Sequence, residues 1–433
     1  MNNQNLKITH MIYRTILFIF ILFSANVKPN NPIIKGQGVC DGHIHIFGNT
    51  AYLFSTHDTI RNGKEWHMKD WQLFSSPDLI NWKKEYILKP EDTYVGPFTK
   101  CFATDGAERN GQYYFYFSKG GQSTGVAVAN NPNGPYKDAL GSKLVTSYDP
   151  TIYIDDDVNK TPYLIWGAIK FYIAKLKEDM VSLAEEPHPL EMNNWPKIHD
   201  GSYLHKKNGM YYLTSQGASY GISKDIYGPY TYVATLHPYN RGEWVDHPTF
   251  FSWNNQDFFV GNDSEFGGCY RFINLTYVAY KDDGSISTDV FIYSSGLGVG
   301  QYDAQWKKIE AEWYFAASKN VIKKECVGGF ELQNITDGTY LYFPKIKNIG
   351  NNSKIDFLLS SVNNNKNTVI EVHSNSFSGK LLGKCKVPDT NSWSTYKHVT
   401  CTLNKTSDEM NLYFVFKGKG ADLLHLDSFE FKK

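Results

Sequence analysis

The sequence carries no surplus of charge of either sign: 44 Lys and Arg balance 44 Asp and Glu. Nucleic acids and anionic membrane surfaces are bound through excess positive charge, so neither is expected as a partner. Cysteine is scarce, six in 433 residues. None sits at a metal-ligand spacing, and six is few for a disulfide-built scaffold of this length. Cys40, Cys101 and Cys269 fall in the first part of the chain and Cys326, Cys385 and Cys401 in the second. The odd count in each part leaves the pairing open, with Cys385–Cys401 one option. Long apolar runs are missing with one exception, from Ile16 to Phe23, which follows Lys7 and Arg14 and precedes Ser24 and Ala25. That run is too short to cross a bilayer, and its flanks are those of a signal peptide. Residues 1–28 are expected to be that peptide. The mature protein is then secreted or periplasmic, off the membrane, and expected to be a monomer.

Aromatic residues are abundant: 30 Tyr, 27 Phe and 10 Trp, beside 35 Gly. Aromatic-rich strands separated by glycine turns indicate an all-β protein, and the length favours two compact domains. Most of the rings are core filler, but a surplus also suits stacking on sugar faces.

A short aromatic segment recurs along the first two thirds of the chain. The copies are Ala51–Phe54, Gln112–Tyr116, Pro162–Trp166, Met210–Leu213 and Asp257–Val260, spaced by 61, 50, 48 and 47 residues at Tyr52, Tyr113, Tyr163, Tyr211 and Phe258. Turn signals such as Asn110-Gly111, Asn208-Gly209 and Asn254-Asn255 precede most of them, so each copy reads as the second strand of a hairpin. Units of this size fit the blades of a five-bladed β-propeller. The strand before each turn opens on an acidic residue: Asp41, Asp105, Asp149, Asp200 and Asp246. First strands of blades line the propeller axis, so the five are expected to gather at one end of the channel. Such crowding is costly unless the groups are solvated, paired or used in chemistry.

The texture changes after about residue 300. Gly296-Leu297-Gly298-Val299-Gly300 reads as a linker. Period-2 strands such as Thr339–Phe343, Thr368–His373 and Asn411–Phe416 then follow, with the length of one β-sandwich. The expected domains are a propeller over 30–298 and a sandwich over 306–433.

Several segments resemble glycoside hydrolase family 43. They are Cys40-Asp41-Gly42-His43 with His57-Asp58, Ser75-Ser76-Pro77-Asp78-Leu79-Ile80-Asn81-Trp82, Tyr148-Asp149-Pro150, and Leu204-His205-Lys206-Lys207-Asn208-Gly209. The resemblance implies an inverting glycosidase acting on arabinose- or xylose-containing plant polysaccharides, with a carboxylate triad at the propeller axis and no catalytic cofactor. Carried over by position, Asp41 is the general base, Asp149 tunes the acid, and Asp200 is the general acid. Inversion needs an acid and a base roughly 6.5–9.5 Å apart, with room for water. Two departures stand out. Asp200 occupies a position usually held by Glu, leaving the side chain one methylene short, and Asp-Gly replaces the common Asp-Pro at the base. His199 is a second possible proton donor. The resemblance also places His247 on the axis and Arg271 at the substrate.

The last segment resembles carbohydrate-binding module family 6, through Ile309-Glu310-Ala311-Glu312, Asp337-Gly338-Thr339-Tyr340-Leu341, Trp393 and Leu424-His425-Leu426-Asp427. This implies a structural calcium held by Glu310, Glu312 and Asp427, whose oxygen ligands suit that ion. It also implies sugar stacking on Trp393, with His425 where the family has asparagine and a position near Asn334 where it has tyrosine. The expected activity is an exo α-L-arabinofuranosidase or β-xylosidase binding cell-wall oligosaccharides or polysaccharides. The alternatives are a weak or inactive sugar-binding propeller and an enzyme on galactose-containing glycans.

Overall fold

The computed structural model describes residues 30–61, 64–196, 200–236, 245–265, 268–350, 352–362, 367–404 and 406–433. The expected signal peptide and His199 lie outside them. The described strands form seven sheets, five in the first part of the chain and two in the second. The first five follow one another as blades. Their inner strands are Gly38–Phe47, Cys101–Arg109, Thr151–Ile154, Tyr203–Lys207 and Asp246–Trp253, and each pairs antiparallel with the strand after it. Each inner strand touches the next, and the fifth touches the first, so they ring an axis. All five expected aromatic repeats fall in second strands.

Local turn chemistry sets these hairpins. Asn110-Gly111, Asn208-Gly209 and Asn254-Asn255 each form a two-residue loop with both residues at positive φ. That conformation matches the twist of the flanking strands and favours asparagine and glycine. The aromatics fill the spaces between blades. Phe54, Trp71, Phe115 and Phe117 pack between the first and second blades, and Tyr212, Tyr220, Phe250 and Phe259 between the fourth and fifth. Between the fifth and first, Leu53, Phe258 and Ile273 join a core that continues into the C-terminal sandwich. The ring closes there through hydrogen bonds of Asn31 to both sides of Leu275 and of Ile33 to Ile273.

The two remaining sheets face each other as a β-sandwich, with Phe343, Phe357, Phe414 and Phe429 in its core. Its first pairing is made by Tyr302–Asp303, parallel to Tyr340–Lys347. Cys385 and Cys401 are disulfide-bonded. The segment 296–300, expected as a linker, is instead docked. Leu297 and Val299 are buried, and the backbone of 296–297 accepts hydrogen bonds from Asn30 and Asn31. Polar contacts lock the sandwich to the fifth blade. Gln256 Nε2 donates to the carbonyls of Glu312 and Tyr314, and Trp313 Nε1 donates to Asp289.

Candidate active site

Backbone irregularities aim the axial side chains. Asp41, Asp149 and His247 sit at φ of 50°, 57° and 38°, in the left-handed region that non-glycine residues rarely occupy. Register shifts flank Asp41 and His247, so these two project from bulges in their inner strands. Strain of this kind persists only where surrounding contacts enforce it, and it gathers at functional sites.

Asp41 is buried and surrounded by donors. Arg271 grips it with two nitrogens, Nη1 to Oδ1 at 2.5 Å and Nη2 to Oδ2 at 2.9 Å. Thr56 Oγ1 donates at 2.8 Å and Asn262 Nδ2 at 3.2 Å. Burial alone would raise this carboxyl, but the charges of Arg271 and His247 and the Thr56 hydrogen bond hold it below the usual carboxylate range. Asp41 is therefore ionised. Arg271 also reaches Asp58, through Nε at 3.0 Å and its own backbone N–H at 2.9 Å, and its guanidinium lies 4.5 Å over the Trp66 ring. The arginine expected at the substrate is thus anchored on two buried carboxylates. Asp58, Thr56 and Asn262 were not singled out as site residues, although His57-Asp58 was part of the family signature.

His247 stands between carboxylates, its Nε2 3.6 Å from Asp41 Oδ1 and 3.7 Å from Asp149 Oδ2. Ligand atoms of Asp149, Asp200 and His247 all lie within 4.8 Å of one another. Gly201 N donates to Asp149 at 3.1 Å. Burial pushes the Asp149 carboxyl well up and the neighbouring Asp200 and Asp41 add to this, against the pull of His247. Asp200 is half-buried. Its Oδ2 accepts from Tyr148 at 3.3 Å, while its Oδ1 is buried with no hydrogen-bond partner among the described residues.

The expectation that five acidic residues gather at one end of the channel is corrected here. Asp41, Asp149 and Asp200 meet around His247, but Asp105 does not join them. A register shift between Phe102 and Thr104 places it deeper, against His43 and His45. The side chain of Asp246 lies outside the description.

In the sandwich, Glu310 pairs with Lys308 at 2.6 Å. Burial raises both Glu310 and Glu312, with Asp427 adding to the first and Glu310 to the second. Glu312 Oε2 is buried and unpartnered. Carboxylate oxygens suit a hard cation, but Glu310, Glu312 and Asp427 are not among the described groups whose ligand atoms lie within 4.8 Å of one another. Trp393 is half-buried, with one ring face stacked on His425 at 4.1 Å and 15°. His425 is held in turn by Glu331 and Asp422, each at 3.0 Å. Asn334 donates to the Asn320 carbonyl.

The family model for glycosyl hydrolases family 43 matches residues 29–248 of this fold, over the four blades that carry Asp41, Asp149 and Asp200. The chain belongs to glycoside hydrolase family 43. A carbohydrate binding module of family 6 matches residues 310–433. As a family 43 member the protein is a glycosidase, and it resembles characterised relatives along most of its length. It is 25% identical to an arabinoxylan arabinofuranohydrolase of Paenibacillus polymyxa, over 93% of this chain and 74% of that protein. It is 27% identical to a xylosidase/arabinosidase of Bacteroides ovatus, over 59% of this chain and 96% of that protein. Among solved structures, a family 43 arabinoxylan arabinofuranohydrolase from Bacillus subtilis in complex with cellotetraose shares the fold, with a TM-score of 0.54 at 20% identity, over 94% of this chain and 98% of that one.

Proposed function

We propose that the protein is an inverting, exo-acting α-L-arabinofuranosidase or β-xylosidase in which Asp41 is the general base and Asp200 the general acid. The unequal surroundings of the axial carboxyls carry this reading. One is held ionised by a bidentate arginine, and another keeps a buried oxygen unpartnered. An inverting hydrolase needs that asymmetry. Asp41 accepts a proton from water as the water oxygen bonds to the anomeric carbon. The glycosidic bond breaks on the opposite face, and its oxygen takes the proton carried by Asp200. Asp149, whose carboxyl is raised by burial and by the neighbouring Asp200 and Asp41, lies within reach of Asp200 and favours a proton on the pair. His247 holds Asp41 and Asp149 in register.

The activities of the relatives support the two sugar classes. The apolar run before residue 28, together with the Cys385–Cys401 disulfide, supports a secreted or periplasmic protein. Calcium bound by Glu310, Glu312 and Asp427 would displace Lys308 from Glu310 and relieve the crowding of the carboxyls.

The test is turnover of aryl α-L-arabinofuranoside and aryl β-D-xyloside by the wild type, Asp41→Ala and Asp200→Ala. The base variant should lose about 10²–10⁴-fold in kcat/KM on both aryl glycosides. The acid variant should lose far less on them, because a good leaving group needs little protonation. Equal losses on activated and natural substrates would remove Asp200 from the acid role. Binding without turnover of arabinans, xylans and galactans would replace the enzyme with a sugar-binding propeller.

A further inference from the structure

The axial channel has a second cluster, away from the catalytic carboxyls. His43 and His45 are two residues apart on the inner strand of the first blade, so both face the same side. Asp105, from the second blade, is fully buried between them. His45 Nε2 lies 2.5 Å from Asp105 Oδ1 and His43 Nδ1 lies 3.1 Å from Oδ2. The three ligand atoms all fall within 4.8 Å of one another. Two further observations point to a ligand. His43 Nδ1 is buried and lies 3.1 Å from the carboxylate, yet it makes no aligned hydrogen bond among the described residues. There is also an entry path. A cavity of about 470 Å³ opens where the inner strands end, lined by His45, Phe47, Glu108, Tyr203, His205 and Lys206 among others. It lies toward the opposite ends of the inner strands from Asp41 and His247, which sit in their first halves, and from Asp149, which precedes its strand.

We propose that His43, His45 and Asp105 form a binding site for a divalent first-row transition ion, reached from this far mouth of the channel. Two imidazoles and one carboxylate with open positions suit zinc, cobalt or iron(II) rather than calcium, which takes oxygen ligands. Backbone N–H groups of Gly106 and Ile152 hold the Asp105 oxygens at 2.7 and 2.6 Å, fixing the carboxylate as outer-shell donors do. The half-exposed His45 borders the cavity, whose water would complete the coordination sphere. The ion would join the first blade to the second and leave the carboxylates at the other end untouched.

The experiment is titration of metal-stripped full-length protein with Co²⁺ in the presence of excess Ca²⁺, followed by visible absorption and by the thermal midpoint. One equivalent with a visible d–d band and a raised midpoint is the expected result. His45→Ala should weaken Co²⁺ binding by more than about 100-fold, beyond the range typical of outer-shell losses. His247→Ala should keep the band. No saturable binding by the wild type overturns the proposal without relying on any variant. A band that survives in His45→Ala and disappears in His247→Ala places the ion among the catalytic carboxyls, and overturns it too.

Discussion

The two polar clusters offered to sugar, one on the propeller axis and one in the sandwich cleft, are built on opposite plans. On the axis, three carboxyls surround His247, one raised by burial and another keeping an oxygen unpartnered among the described residues. In the cleft, His425 bridges Glu331 and Asp422 and lays its ring over Trp393, while Tyr396 donates to Glu331. The first leaves interactions for a substrate to complete. The second makes most of its contacts within itself, through the ion pairs of His425. Aromatic and acidic residues at family positions are therefore not sufficient for a binding site; some of their bonding capacity must be left over.

Removing Arg271 should give the largest difference between the two plans. Arg271→Met leaves Asp41 and Asp58 buried without their cation, and breaking a buried pair costs about 3–5 kcal/mol. Urea unfolding of the full chain should show that loss. In whatever protein remains folded, the Asp41 carboxyl rises toward its ordinary value, because the arginine is what opposes its burial. The acidic limb of the kcat/KM profile should therefore move to higher pH. An unshifted limb would mean that Asp41 is not the base.

The cleft should show the opposite pH signature. Burial alone would lower the His425 imidazole, but hydrogen bonds to Asp422 and Glu331 carry it to about 9. A raised histidine contributes stability that is complete below its unfolded value near 6.5 and is lost as pH rises through its folded value. The stability gap between the wild type and His425→Gln should therefore shrink by about 2–3 kcal/mol between pH 6.5 and 9.5. A gap that stays constant over this range would show that the ring is held by stacking alone.

Calcium tests a third polar group of the sandwich. At one hundred times its dissociation constant the ion should stabilise the chain by about 2.7 kcal/mol, read as a raised thermal midpoint that EDTA reverses. Glu312→Gln should abolish the rise. A calcium response unchanged in that variant would mean that the orphaned Glu312 oxygen is not a ligand.

These contrasts also mark how far the sequence could be read. The hairpins were legible because Asn-Gly and Asn-Asn loops set their own geometry within two residues. Asp41, Asp149 and Asp200 were legible from local family segments. The clamp on Asp41 was not, because Arg271 and Asp58 are 213 positions apart and meet only when the last blade closes on the first. Asp105 was expected at the same end of the channel as the other acidic residues because a one-residue register shift leaves no trace in the repeat spacing, yet it redirects the side chain down the channel. The docking of 296–300 was hidden for a similar reason. Glycine-rich composition signals turns, while Leu297 and Val299 found burial against partners far along the chain.

The smallest expected effect bears most directly on the comparison. If His425 is what closes the cleft, His425→Ala should free one face of Trp393 for sugar. A stacking contact is worth about 0.5–1.5 kcal/mol, so affinity for xylo- or arabino-oligosaccharides should tighten by up to about tenfold. The double variant His425→Ala, Trp393→Ala should return to the wild-type value, which separates a new stacking contact from general loosening of the cleft. Both should be measured by calorimetry with Asp41→Ala in the background, so that the ligand survives the titration. A wild-type protein that already loses binding on Trp393→Ala would break the comparison, since the His425 ring would then yield to sugar without mutation.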